Sequence, residues 1–316
     1  MAKTQKKGAK DSRMTLFDKI KKEIVQNRYL YILAVPILLY FILFKYLPMF
    51  GLVIAFKNFN IAKGVFASEW VGFKYFKEFF SSTYFTRTLT NTLSISILDI
   101  VIGFPIPIIF ALLLNEINNS GFKKVVQTAS YLPHFISIVV VCGMINDFFS
   151  TDGLITMLIT KFGGQNMAYI GESKYFRSIF VGTNIWQGFG WSSIIYLAAL
   201  SGIDYQLYEA ATIDGAGKWK QVIHITLPGI ASTIMIILIM RMGQVLSVGY
   251  EKIILLYTPM TYDVADVISS YTYRMGIQNS RFGYSAAVGM FQSVINITIL
   301  FAANTLSKKY TETALF

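Results

Sequence analysis

The chain of 316 residues has one cysteine, Cys142, so no internal disulfide can form and no thiolate zinc cluster can be built. Its two histidines, His134 and His224, lie in different regions, which argues against a multi-histidine metal centre. Neither sits beside a nucleophile it could activate, and nothing in the sequence assembles a catalytic group. No G-x-x-x-x-G-K-[ST] run occurs, so the chain has no phosphate loop of its own. Internal repeats are missing too. Charged residues are scarce at 14%, and Asp plus Glu number 17 against 28 Lys plus Arg, a balance far from that of a soluble domain.

What fills the chain instead is apolar: 54% of residues are hydrophobic and the mean hydropathy is +0.52. This surplus is gathered into six stretches, each able to cross a hydrocarbon layer of ~30 Å as a helix of ~20 residues. They run Leu30 to Phe56, Leu89 to Leu114, Val125 to Phe149, Phe176 to Leu200, Leu227 to Val248 and Tyr284 to Leu306. The expected fold is therefore all-α, a polytopic membrane protein with six transmembrane helices. Pro36 and Pro48 predict a kink or an end in the first span.

The net charge of +11 would point to nucleic acid in a soluble protein. Here it reads as topology, because Lys3, Lys6, Lys7, Lys10, Arg13, Lys19, Lys21, Lys22 and Arg28 all precede or open the first span, and such flanks stay cytoplasmic. Both termini are expected inside, in a bacterial cytoplasmic membrane, with no nucleic-acid partner. Residues 1–28 form a retained basic tail with an amphipathic helix from Leu16 to Val25 at the lipid surface. Residues 29–306 form the membrane domain, and 307–316 a short cytoplasmic tail.

Three connections are long. Lys57 to Arg87 carries Trp70, Phe73, Tyr75, Phe76, Phe79 and Phe80, an aromatic density that suits an outer cap at headgroup level. Ser150 to Tyr175 and Ile253 to Arg281 have room for short helices that touch a docking partner.

Between the fourth and fifth spans, residues 203–228 form a cytoplasmic loop on this topology. A short helix is expected from Leu207 to Asp214, closed by Gly215 in a left-handed conformation, with a second helix after it and Pro228 in the first turn of the fifth span. Small Ala210 and Ala211 allow another protein close to the backbone, and Glu209 offers a carboxylate to a basic partner. The segment matches E-A-A-x3-G-x9-I-x-L-P at Glu209, Ala210, Ala211, Gly215, Ile225, Leu227 and Pro228. It resembles the EAA loop of binding-protein-dependent ABC importer permeases. The stretches Asn91 to Leu93, Ala111 to Ile117, Tyr131 to Ser137 and the Asp214-Gly215-Ala216 triplet resemble those of carbohydrate permeases, while Gly153-Leu154-Ile155-Thr156 departs from their Gly-x-Ile-Asn.

The resemblance implies a type I ABC importer permease fold and a division of labour. A separate ATPase binds ATP and Mg, and this chain holds no cofactor. Two ATPase copies would grip the loop of this chain and of a second permease subunit, most naturally a heterodimer partner, with Glu209 paired to a basic ATPase residue. An extracellular solute-binding lipoprotein would deliver a sugar or oligosaccharide.

Polar groups within spans are costly and mark a water-filled path or a helix-to-helix contact. Asn184, Trp186, Gln187 and Trp191 place amides beside aromatic rings in the fourth span, a combination that suits a sugar's hydroxyl rim and apolar face. Gln244, Tyr250 and Glu251 extend a polar lining outward from the fifth span, and Gln292 and Asn296 belong to the sixth. Arg241 can pair with Asp99 or with an anionic sugar. Two other readings stand beside the importer: an ion-coupled secondary transporter, which predicts paired repeats and intramembrane carboxylates, and a membrane scaffold. An ABC permease for a solute other than carbohydrate is a variant of the first.

Overall fold

The computed structural model describes residue 23, residues 25–311 and residues 314–315. The amphipathic helix expected from Leu16 to Val25 lies outside them except for Glu23 and Val25. The described residues are mostly helical, and among them is one two-residue antiparallel ribbon, β1 (Lys57–Asn58) against β2 (Glu69–Trp70).

The first apolar stretch begins as α1 (Arg28–Phe41) and stays helical to Phe56. None of its most apolar window is buried in the rest of the chain. Leu30, Leu33, Phe44 and Phe50 stand exposed, as suits a helix solvated by lipid. After the ribbon come α2 (Lys74–Phe80) and then α3 (Thr83–Leu98), which runs through a wide turn into α4 (Pro105–Asn115). The last helix, here α14, spans Phe282–Thr311 and so passes the expected end at Leu306.

Proline shapes the spans by one repeated device. Wide π-type turns at Ile42–Tyr46, Asp99–Gly103 and Val222–Thr226 each end two residues before a proline: Pro48, Pro105 and Pro228. A proline supplies no N–H and its ring pushes on the preceding turn, so the helix widens ahead of it rather than breaking. The kink expected at Pro48 is thus a local widening inside a continuous helix.

Two expected spans are not single rods. The third consists of α5 (Ser120–Tyr131) and α6 (Ile138–Phe148), which with the intervening turn meet at 99°. Pro133 sits in a tight turn, Leu132–Phe135, and Ser137 then restarts the helix by accepting a bond from Val140 N–H. His134 therefore lies at a corner and not in mid-helix. The fifth is bent by 60° between Gly229 and Ala231, so Pro228 belongs to the side of the loop 203–228 and not to the first turn of the membrane helix. Among the described residues three unbroken helices are long and apolar enough to cross a membrane, and each bent pair adds a candidate. The fourth expected span is α8 (Ser173–Leu200), whose 28 residues give a length of about 42 Å. Lys174, Arg177, Asn184 and Gln187 lie along it, and it is not among the helices apolar enough to cross by composition.

The expected short helices in the long connections are present: α7 (Leu154–Lys161) in one, and α12 (Tyr250–Leu256) and α13 (Ile268–Tyr273) in the other. The aromatic connection packs only partly on the chain itself, with Tyr75 and Phe76 half-buried and Phe80 exposed. Phe79 is 1% exposed among Phe85, Tyr271, Tyr284 and Phe291, whereas Trp70 and Phe73 remain over 60% exposed. Asp266, fully buried, binds Arg87 at 3.0 Å and Arg274 at 2.6 Å, and Asn91 donates to its carbonyl at 3.0 Å. Burial pulls the Arg274 pKa down and the hydrogen bond to Asp266 pulls it up; the net shift is upward. This hub ties the last long connection to α3.

Candidate functional site

Two features stand out: a rigidly mounted bend and a pair of adjoining cavities. In the bend, Asp204 caps α9 (Tyr205–Ile213) by accepting from Gln206 N–H at 3.0 Å, which satisfies a first-turn donor. Gly215 closes the helix at φ +76°, a conformation that side chains with a Cβ resist. The chain then turns into α10 (Lys218–Gln221). Gln221 donates to Thr212 at 3.0 Å and to the Ala216 carbonyl at 3.2 Å, and Tyr208 and Thr226 hydroxyls lie 3.0 Å apart. Lys218 meets Glu116, at the end of α4, at 3.0 Å.

The bend is therefore braced from within and tied to the helices behind it. Its outer surface is open. Glu209, Ala210, Asp214, Gly215 and Pro228 are exposed, while Ala211, Ile225 and Leu227 are half-buried. Among the described residues Glu209 has no ion-pair partner. Around it Leu207, Ile213 and Trp219 expose 52%, 87% and 81% of their surface, an apolar rim around an unpaired carboxylate of the kind that marks a protein interface.

The cavities lie along one face of α8. The first, of about 350 Å³, is walled by Phe104, Pro107, Trp191, Ile195, Tyr196 and Arg241 among others. The second, of about 240 Å³, is walled by Asp99, Asn184, Arg241, Gln244 and Ser247 among others. Arg241 borders both. From α11 (Ala231–Met242) it reaches Asp99, one of its two expected partners, with an Nη1 to carboxylate distance of 3.2 Å. A tight approach holds the neighbouring helices: a Cβ on Gly190 would collide with the Ser130 backbone.

The polar and aromatic residues expected to line the path divide on this geometry. Asn184, Trp191, Arg241 and Gln244 line the cavities, and Trp191 also stacks on His134 with ring centres 4.8 Å apart. Trp186 and Glu251 line neither. Gln187 donates to the Ile136 carbonyl at 3.3 Å across the corner between α5 and α6. Tyr250 stacks on Tyr273 and borders a separate cavity with Gln292.

The fifth membrane helix ends at Met242, so Gln244, Tyr250 and Glu251 do not continue it, contrary to expectation. Gln244 lies in the irregular stretch 243–249, and the other two open α12. That stretch has backbone groups to satisfy, since inside a membrane unpaired ones are expensive. Asn296 accepts from Leu246 N–H at 3.0 Å, Gln292 donates to the Leu246 carbonyl at 2.8 Å, and Ser96 donates to the Val245 carbonyl. Gln292 and Asn296 thus act as clamps on broken helix. Lys252, which is not among the expected lining residues, is 4% exposed and donates to Asn184 Oδ1 at 2.6 Å.

Comparison with known proteins places these features. The family model described as "Binding-protein-dependent transport system inner membrane component" matches residues 103–312. Protein LplB of Bacillus subtilis (strain 168) is 44% identical over 292 residues, 92% of this chain and 92% of that protein. The polygalacturonan/rhamnogalacturonan transport system permease protein YteP of the same strain is 42% identical over 295 residues, 93% and 92% of the two chains. A chain in the crystal structure of a bacterial alginate ABC transporter, in complex with alginate pentasaccharide-bound periplasmic protein, superposes with a TM-score of 0.85 at 41% identity, covering 93% of this chain and 99% of that one. With its match to that family model over about two thirds of its length and its 44% identity to LplB, this chain belongs to the binding-protein-dependent transport system inner membrane components, the permease subunits of ABC importers.

Proposed function

We propose that this permease carries oligosaccharides inward, as one of two permease subunits worked by two copies of a separate ATPase. The observation that carries the reading is the bend: among the described residues Glu209 has no ion-pair partner, on an exposed helix that Tyr208–Thr226 and Thr212–Gln221 hydrogen bonds join to the start of the fifth span. A helix held this way would transmit force. A partner gripping α9 would move the fifth span and, through Arg241, the wall between the two cavities. ATP and Mg belong to that ATPase, and this chain needs no cofactor.

The cargo assignment is supported by the names of YteP and of the alginate transporter, and by the amide, ring and guanidinium lining of the cavities, which suits a saccharide's hydroxyls and apolar faces. A solute-binding lipoprotein outside the cell would hand the saccharide over, a second and different permease chain would complete the path, and both termini would face the cytoplasm. The helix α1, exposed along its length, would meet lipid and that second chain. The test is uptake by proteoliposomes holding this chain, its partner permease, the ATPase and a loaded binding protein. The reading expects saccharide accumulation that requires ATP hydrolysis; accumulation driven by an ion gradient without ATP would overturn it.

A further inference from the structure

Lys252 is a buried cation that has no counter-ion among the described residues. Its Nζ donates to three neutral oxygens, Phe180 O at 3.4 Å, Thr183 Oγ1 at 2.8 Å and Asn184 Oδ1 at 2.6 Å, and lies 5.0 Å from the centre of the Phe180 ring. Among the described residues no carboxylate comes within 4.0 Å of it. Its titratable neighbours include the Cys142 thiol and the Asp99 carboxylate, and Asp99 is already paired with Arg241. An uncompensated charge in such a place is costly, and a core built for stability alone would do better with an apolar side chain.

Its position gives it a use. Phe180, Asn184 and Gly249, which surround the ammonium in space or sequence, are also wall residues of the 240 Å³ cavity. The ammonium stands one layer behind that wall. Since Asp99 and Arg241 cancel, Lys252 leaves the surroundings of the cavity with one excess positive charge. It also fixes the Asn184 amide, because only the carbonyl oxygen can accept from an ammonium. The Nδ2 donors are then turned away from Lys252, and among the described residues they serve no other group of the chain.

We propose that Lys252 is a positioning and specificity-determining residue that makes this cavity a station for a carboxylated saccharide. It aims the Asn184 amide donors at the cargo carboxylate, and its charge draws that carboxylate in. The inference rests on the saccharide-import reading above and adds the sign of the cargo's charge.

The test compares trigalacturonate with its carboxyl-reduced, neutral trisaccharide in the reconstituted importer. Lys252→Met should raise the half-saturating concentration for trigalacturonate about tenfold with the maximal rate little changed, as removal of one attractive charge behind a wall would. The neutral trisaccharide should change by no more than about twofold, and Lys252→Arg should restore the selectivity. Equal losses for both saccharides, or no recovery in Lys252→Arg, would overturn the proposal and leave saccharide import standing. Occupancy is read separately by alkylation of Ser247→Cys. Trigalacturonate should slow that reaction where the neutral trisaccharide does not, and equal protection by both would overturn the proposal. If neither saccharide is carried, the import reading fails, and the alkylation result still decides the role of Lys252.

Discussion

The Arg241 guanidinium reaches Asp99 twice, at 3.2 Å to its carboxylate and 3.4 Å to its backbone carbonyl. Asp99 opens the wide turn ahead of Pro105, and Arg241 is next to last in α11. Their pair stands where the apolar cavity meets the polar one, so motion of either helix must break or carry it. Both side chains are partly exposed, 38% and 27%, and screening limits the pair's share of stability to about 1 kcal/mol.

The pair should therefore matter more to coupling than to folding. Arg241→Gln is expected to leave the melting temperature of the purified complex nearly unchanged while raising the ATP hydrolysed per saccharide carried. An unchanged ratio would show that the pair is no partition. Asp99→Asn should act in the same direction, and the double variant should cost less than the sum of the two.

Glu209→Ala should insert normally and bind the ATPase more weakly. The loss should exceed about 2 kcal/mol if the interface desolvates the carboxylate against a basic group, and stay below about 1 kcal/mol if the contact remains wet. Affinity of the ATPase for permease in nanodiscs measures it. Wild-type affinity in the variant would remove Glu209 from the contact.

Asp266 offers a stability test. Asp266→Ala leaves Arg87 and Arg274 facing each other without their anion, and loss of a buried partner costs about 3–5 kcal/mol. Glu78→Ala breaks the Glu78–Arg281 pair, whose side chains are 40% and 41% exposed, and should cost less than about 1 kcal/mol. Thermal unfolding of the two variants should rank them in that order.

Gly190→Val should be poorly tolerated, because its side chain would run into the Ser130 backbone; overpacking of this kind costs about 1–3 kcal/mol or more. At Gly188, where nothing lies within 4 Å of an added Cβ, alanine should be neutral. Expression yield and melting temperature separate the two.

Much of this could be read from residues alone, and what could not has physical causes. The positions of the apolar stretches follow from hydropathy, and Gly215 marked the end of α9 because a left-handed residue is needed there. The bends of the third and fifth spans escaped, since a run of apolar residues looks the same whether it crosses straight or turns; Pro133 with Ser137, and Pro228 with Gly229, were the only local signs. Gln292 and Asn296 carried a polar signal whose meaning depended on the broken backbone of residues 243–249 in another part of the chain. Lys252 carried no signal. It follows an exposed Glu251 at the edge of a long connection, and only folding places it against Asn184, 68 residues away. The Asp266 hub is equally non-local, joining residues 179 apart.

The most direct test of the account is where the bend lies and what covers it. Ile213, 87% exposed at the end of α9, can be changed to cysteine against a background of one native thiol, buried Cys142. In oriented membranes, Ile213→Cys should react with a membrane-impermeant maleimide from the cytoplasmic side only and become protected when the ATPase binds. Labelling from outside intact cells, or labelling that the ATPase leaves unchanged, would contradict it.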